Sequence, residues 1–110
     1  MPKQKKYLEG FKLHPGMVLM GWRLEQIKVD HQAITRYKKY RYPMMMLWKK
    51  DEHPADPLIF QKHLNDYLSP RTIKSEAGND YYCTIVDLHY LFDKHDFAHV
   101  TGYGVCEKSQ

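Results

Sequence analysis

No stretch of this chain approaches the roughly 20 consecutive apolar residues of a membrane span, so no membrane is expected among its partners. No apolar segment follows the basic start, Met1-Pro2-Lys3-Gln4-Lys5-Lys6, as a secretory signal would require. The expected location is therefore cytoplasmic, where the two cysteines, Cys83 and Cys106, would stay reduced. The short patterns that carry catalysis are missing as well. There is no phosphate-cradling glycine loop, no GxSxG elbow, no HExxH and no CxxC. A non-enzymatic chain without cofactor is the expectation.

A further absence is local. No acidic residue occurs between His31 and Lys50. Residues 1–50 carry 12 Lys/Arg against Glu9, Glu25 and Asp30, a balance of +9; residues 51–110 carry 5 against 10 Asp/Glu, a balance of −5, and the two sum to the net +4. Opposed halves of this kind mark a polyanion-binding face or two surfaces that attract each other.

What is present fits one globular domain spanning residues 1–110, with 43% hydrophobic and 27% charged residues. Tyrosine, at 9, and methionine, at 6, are the abundant types. The clearest element is a helix over about 57–68: Asp56 caps it, Pro57 suits its first position and Ser69-Pro70 ends it. Phe60, Leu64, Tyr67 and Leu68 form its apolar stripe. Residues 81–92 and 97–107 read as a hairpin around Asp93-Lys94-His95-Asp96. A symmetric register pairs Phe92 with Phe97, Tyr90 with His99, Val86 with Tyr103 and Cys83 with Cys106. Gly102 and Gly104 mark a place where that register can slip by one.

The N-terminal half has weaker signals. Residues 17–29 fit a strand or a helix, and Gly21 tips the balance to strand. A turn at Asp30-His31 leads to a strand over about 32–41, with Glu25 opposite Arg36 and Leu24 opposite Tyr37. A third strand, Met44–Lys49, does not alternate in polarity, so it is covered on both faces or lies at an interface. The expected fold is α+β, an antiparallel sheet of four or five strands with the main helix packed on it and the C-terminal hairpin over about 81–107. A short helix near residues 4–12 precedes it.

Four clusters invite a functional reading. Arg36, Lys38, Lys39, Tyr40, Arg41 and Tyr42, with Lys49 and Lys50, combine cations for phosphates with rings for unpaired bases, the needs of single-stranded RNA or DNA binding. Against this stands a solvated edge strand whose lysines discourage aggregation. Met44, Met45, Met46 and Trp48, with Met17, Met20 and Trp22, are either core filling or an adaptable apolar surface. That surface would serve a homodimer interface or a small hydrophobic ligand. His89, His95 and His99 gather near the hairpin tip beside Asp93 and Asp96. The symmetric register puts His89 and His99 on opposite faces, and no metal is expected. Cys83 is a small core residue, or one half of a reversible bridge to Cys106, in preference to a nucleophile.

Overall fold

A computed structural model describes residues 10–30, 35–36, 39–74, 78 and 80–108; Thr35, Arg36, Lys39, Tyr40, Arg41 and Lys108 enter through their backbone alone. Helix α1 (Pro57–Tyr67) starts as its sequence dictates, with the Asp56 carboxylate accepting from the Leu58 amide at 3.1 Å and Pro57 in the first turn. Leu68 forms its C-cap, and Phe60, Leu64 and Leu68 are buried as the apolar stripe requires. Of the expected helix near residues 4–12, Gly10 and Phe11 are helical; residues 4–9 lie outside the described residues.

The sheet is antiparallel and curled. Its strands are β1 (Val18–Leu19), β2 (Trp22–Val29), β3 (Thr35–Arg36), β4 (Lys39–Lys50), β5 (Arg71–Lys74), β6 (Asp80–Phe92) and β7 (Phe97–Lys108). Six follow one another in the order β1-β2-β4-β7-β6-β5, and β3 pairs with the start of β4. The expected four or five strands fall short because β1, β3 and β5 have only two to four residues, too few for a periodic signal.

The C-terminal hairpin follows its expected bounds closely. Cys83 faces Cys106 and Val86 faces Tyr103, but beyond a bulge at Asp87-Leu88 the register moves by one. There Tyr90 faces Val100 and Phe92 faces Ala98, in place of the His99 and Phe97 of a symmetric register. Asp87 adopts φ 56°, the conformation that lets an extra residue bulge out. Gly102 sits across from it, and a side-chain carbon there would come within 3.0 Å of Leu88 and of the Val86 carbonyl oxygen.

The expected pairing of the N-terminal half is overturned. β2 pairs with β4, so Leu24 faces Trp48 and Trp22 faces Lys50; neither Arg36 nor Tyr37 is its partner. Part of the expected strand, residues 31–34 and 37–38, lies outside the described residues. Met20 and Gly21, both at positive φ, make a two-residue turn between β1 and β2, so the glycine marks a hairpin tip rather than a strand interior. Pro43 lies inside β4 without breaking the sheet. β2 has ended beside it, and the Pro43 carbonyl takes the Asp30 amide at 2.9 Å. Its missing N–H faces the same side, where no ladder bond is owed.

One side of the sheet holds the core. Trp22, Leu24, Met44, Met46, Trp48, Ala98 and Val100 pack there with Phe11, Leu13 and the helix. Phe60 stacks on Trp22 at 4.9 Å between ring centroids and meets Trp48 edge-on at 5.4 Å. The Met44–Trp48 run does alternate, in burial rather than polarity, with Met45 and Leu47 turned outward. Met44, Met46 and Trp48 are thus core residues and unavailable as an interface, while Met45, 37% exposed, and Met20, 39% exposed, lie outside the core.

Candidate binding face of the sheet

Strand alternation builds the outer face. On β7 the small or aliphatic Ala98, Val100, Gly102 and Gly104 point to the core, where helix and rings need room. The larger Phe97, His99, Thr101 and Tyr103 are left on the other side. Their cross-strand partners extend each position into a row. Lys49 faces Phe97; Leu47, His99 and Leu91 stand together, as do Lys28, Met45, Thr101 and His89, and then Pro43, Tyr103 and Val86. Two acids border these rows: Asp30, whose amide bonds the Pro43 carbonyl, and Asp93, whose carboxylate meets His99. Leu91 is 67% exposed, and Phe97, His99 and Tyr103 are partly buried.

Two of these rings are coupled to charge. The Lys49 ammonium lies 5.5 Å from the Phe97 ring centre, and the Phe97 and His99 rings are 6.4 Å apart. The bulge in β6 also corrects the expected placement of His89, which shares the outer face with His99. Among the described residues, no group of three His, Cys, Asp or Glu side chains is placed to hold a metal ion.

Asp93 fixes the rim of this face. Its carboxylate accepts from the His95 amide at 2.8 Å and the Phe97 amide at 3.1 Å, and its second oxygen meets His99 Nε2 at 2.8 Å. The His99 hydrogen bond holds the Asp93 carboxyl below its ordinary 3.8, with the two amides helping against desolvation. A lowered folded-state pKa adds stability above the unfolded value and loses it as pH falls through the lowered one. Thermal melts of Asp93→Asn should therefore lie a constant interval below those of the native chain above roughly pH 5, and the interval should close as pH drops past 3.8. An interval unchanged down to pH 2.5 would show that the carboxylate charge does nothing for the turn.

The expected basic cluster is divided by the fold. Tyr42 is only 8% exposed, on the core side of β4, and cannot stack on a base from there. Lys49 and Lys50 part to opposite faces: Lys50 lies over Trp22 and within 3.6 Å of Asp96. Lys39, Tyr40 and Arg41 are placed by register against Glu107, Cys106 and Val105, and Arg36 pairs with Lys39. Lys38 lies outside the described residues. Phe97, His99 and Tyr103 escape a reading of charge because they belong to the acidic half. Their signal is the alternation itself, in which small residues at even positions leave the rings at odd ones.

An open notch of about 380 Å³ adjoins the outer face at the end of β2. Lys28, Val29, Asp30, Pro43, Met44 and Met45 line it, while His89 and His99 do not. Among the described residues no helix is long and apolar enough to cross a membrane. Compared with protein-family models, with curated proteins and with solved structures, the chain shows no match in any of the three.

Proposed function

We propose that the chain is a cytoplasmic, non-enzymatic module that binds single-stranded nucleic acid on the outer face of its sheet. The observation that carries this reading is the row of Phe97, His99 and Tyr103 along β7, flanked by Lys49 and Lys28. Rings two residues apart on a strand stand about 6.8 Å from each other, enough for separate bases to lie over them. Lys28 and Lys49 supply salt-sensitive attraction to the phosphates. Met45 and Leu47 form an apolar floor between them, and Arg36 of β3 with Lys39 and Arg41 of β4 adds further basic positions to the same sheet.

Titration of labelled single-stranded RNA and DNA at several salt concentrations tests the reading. Phe97→Ala and Tyr103→Ala should each weaken binding by about 1–3 kcal/mol, the value of one stacked base. Lys49→Ala should flatten the salt dependence by about one phosphate contact. Absence of binding at low salt, or binding indifferent to both ring substitutions, would sink it. A salt-independent dimer dispersed by Met45→Asp or Leu91→Asp would instead assign the face to a second copy of the chain.

A further inference from the structure

The row of rings on β7 has two flanks. On the β4 side lies Lys49, with Lys28 one strand further out on β2. On the β6 side the matching positions are Leu91, His89 and Val86. Of these three, His89 alone carries a group that can take a positive charge. A strand of nucleic acid laid along β7, its bases over Phe97, His99 and Tyr103, therefore meets fixed cations on one flank and an imidazole on the other.

The bulge at Asp87-Leu88 is what brings His89 to this face. The residue is exposed and sits opposite Thr101, with His99 and Tyr103 as its diagonal neighbours about 7–8 Å away. It thus stands level with the gap between two of the rings, beside the stretch of sugar and phosphate that would join the bases lying over them. Its strand is tied to the ring-bearing one covalently as well, by a disulfide between Cys83 and Cys106, where reduced thiols were expected.

The charges around His89 differ in sign and distance. Lys28 shares its row three strands away, about 14 Å across the sheet. Asp87, in the bulge, is exposed, and Asp30 lies at the far side beside Pro43. Asp93 is engaged by His99 at 2.8 Å. A proton on His99 is therefore met by a carboxylate already in place, and changes the field over the face little. A proton on His89 arrives on the exposed flank itself.

We propose that His89 is a proton-dependent phosphate contact, so that affinity for single-stranded nucleic acid rises as the solution is acidified from about pH 8 to 5. This deepens the function proposed above and rests on it. An imidazole passes from neutral to cationic within that range, while ammonium and guanidinium groups keep their charge. The cationic ring gives a phosphate oxygen a charge-assisted N–H···O bond that the neutral ring does not match. By linkage, a ligand held more tightly by the protonated chain must take up protons as it binds.

The test follows binding of a cyanine-labelled oligouridylate to the full chain from about pH 8 to 5 at fixed low salt, a range in which uridine bases stay neutral. Affinity should rise about fivefold from the alkaline to the acid end, the lower range of coupling between sites. Calorimetry near pH 6.5, about the middle of the imidazole range, in buffers of differing ionisation heat should show proton uptake. His89→Gln should lose both effects. His89→Arg should bind at the alkaline end as tightly as the native chain does at the acid end, with no pH dependence left. His95→Gln, in the exposed turn, should behave as the native chain does. Affinity that is flat with pH, or that keeps its pH dependence in His89→Gln, would overturn the contact and leave the nucleic-acid reading standing. An oligouridylate that binds at neither end would refute that reading and the contact with it.

Discussion

Phe60→Ala is expected to lower the unfolding free energy by about 3–5 kcal/mol, the range for removing a fully buried aromatic ring. In a domain of this size that corresponds to a fall in Tm of roughly 12–20 °C. The ring is fully buried and forms the contact between helix and sheet, stacked on Trp22 and edge-on to Trp48. Its loss strips two indole rings of their shared neighbour and leaves a void that the helix fills only by tilting inward. Urea denaturation followed by tryptophan fluorescence measures the change. Leu58→Ala, two residues earlier on the same helix and 73% exposed, should stay within about 0.5 kcal/mol of the native chain. Equal losses for the two substitutions would mean that the helix does not dock through Phe60.

Gly21→Ala should cost about 2–4 kcal/mol, through two separable effects. Gly21 adopts φ 80°, where an L side chain is strained. A β-carbon there would also lie 2.6 Å from Pro54 Cα and closer still to the His53 carbonyl oxygen. Those obstacles are backbone and are themselves clamped. The Gly21 carbonyl takes the Asp51 amide, the Met20 carbonyl takes the Ala55 amide, and the Trp22 indole donates to the Ala55 oxygen at 2.9 Å. Moving residues 53–54 aside therefore disturbs three hydrogen bonds at once. Gly16→Ala is the matched control, at φ 96° with nothing within 4 Å of its added carbon. It should cost only about 1 kcal/mol, the conformational part. Melting curves that fail to separate the two variants would show that the turn yields freely.

The elements legible in the sequence were those specified by residues near one another. Asp56, Pro57 and a stripe of period 3.6 define the helix, and a four-residue polar turn between two β-rich runs defines the hairpin. The facing of Cys83 and Cys106 agrees with a symmetric count from that turn only because the bulge at Asp87-Leu88 cancels a one-residue offset at the turn itself. The partner of β2 has no such local specification, because a strand's alternation states which face is buried and not which strand lies beside it. The binding face suffered from the same gap. Positive charge and tyrosine were visible as composition, but which of them reaches solvent depends on the parity of β4. The burial of Met44, Met46 and Trp48 sets that parity, and Tyr42 goes inside with them. His89 shows the effect in miniature, since one bulged residue at Asp87-Leu88 moved it to the other face.

The pairing of β4 with β7 also imposes an order of assembly. Its partners run from Lys49 with Phe97 to Lys39 with Glu107, contacts 48 to 68 residues apart along the chain. The hairpin of β6 and β7 closes across a four-residue loop, so it can form early and offer an edge. The N-terminal strands must then find that edge across an intervening helix, and this search, not the local elements, sets the folding rate. Here the opposed charges of the two halves have a kinetic use. A segment of +9 and a segment of −5 attract each other through water, so folding should slow as added salt screens them.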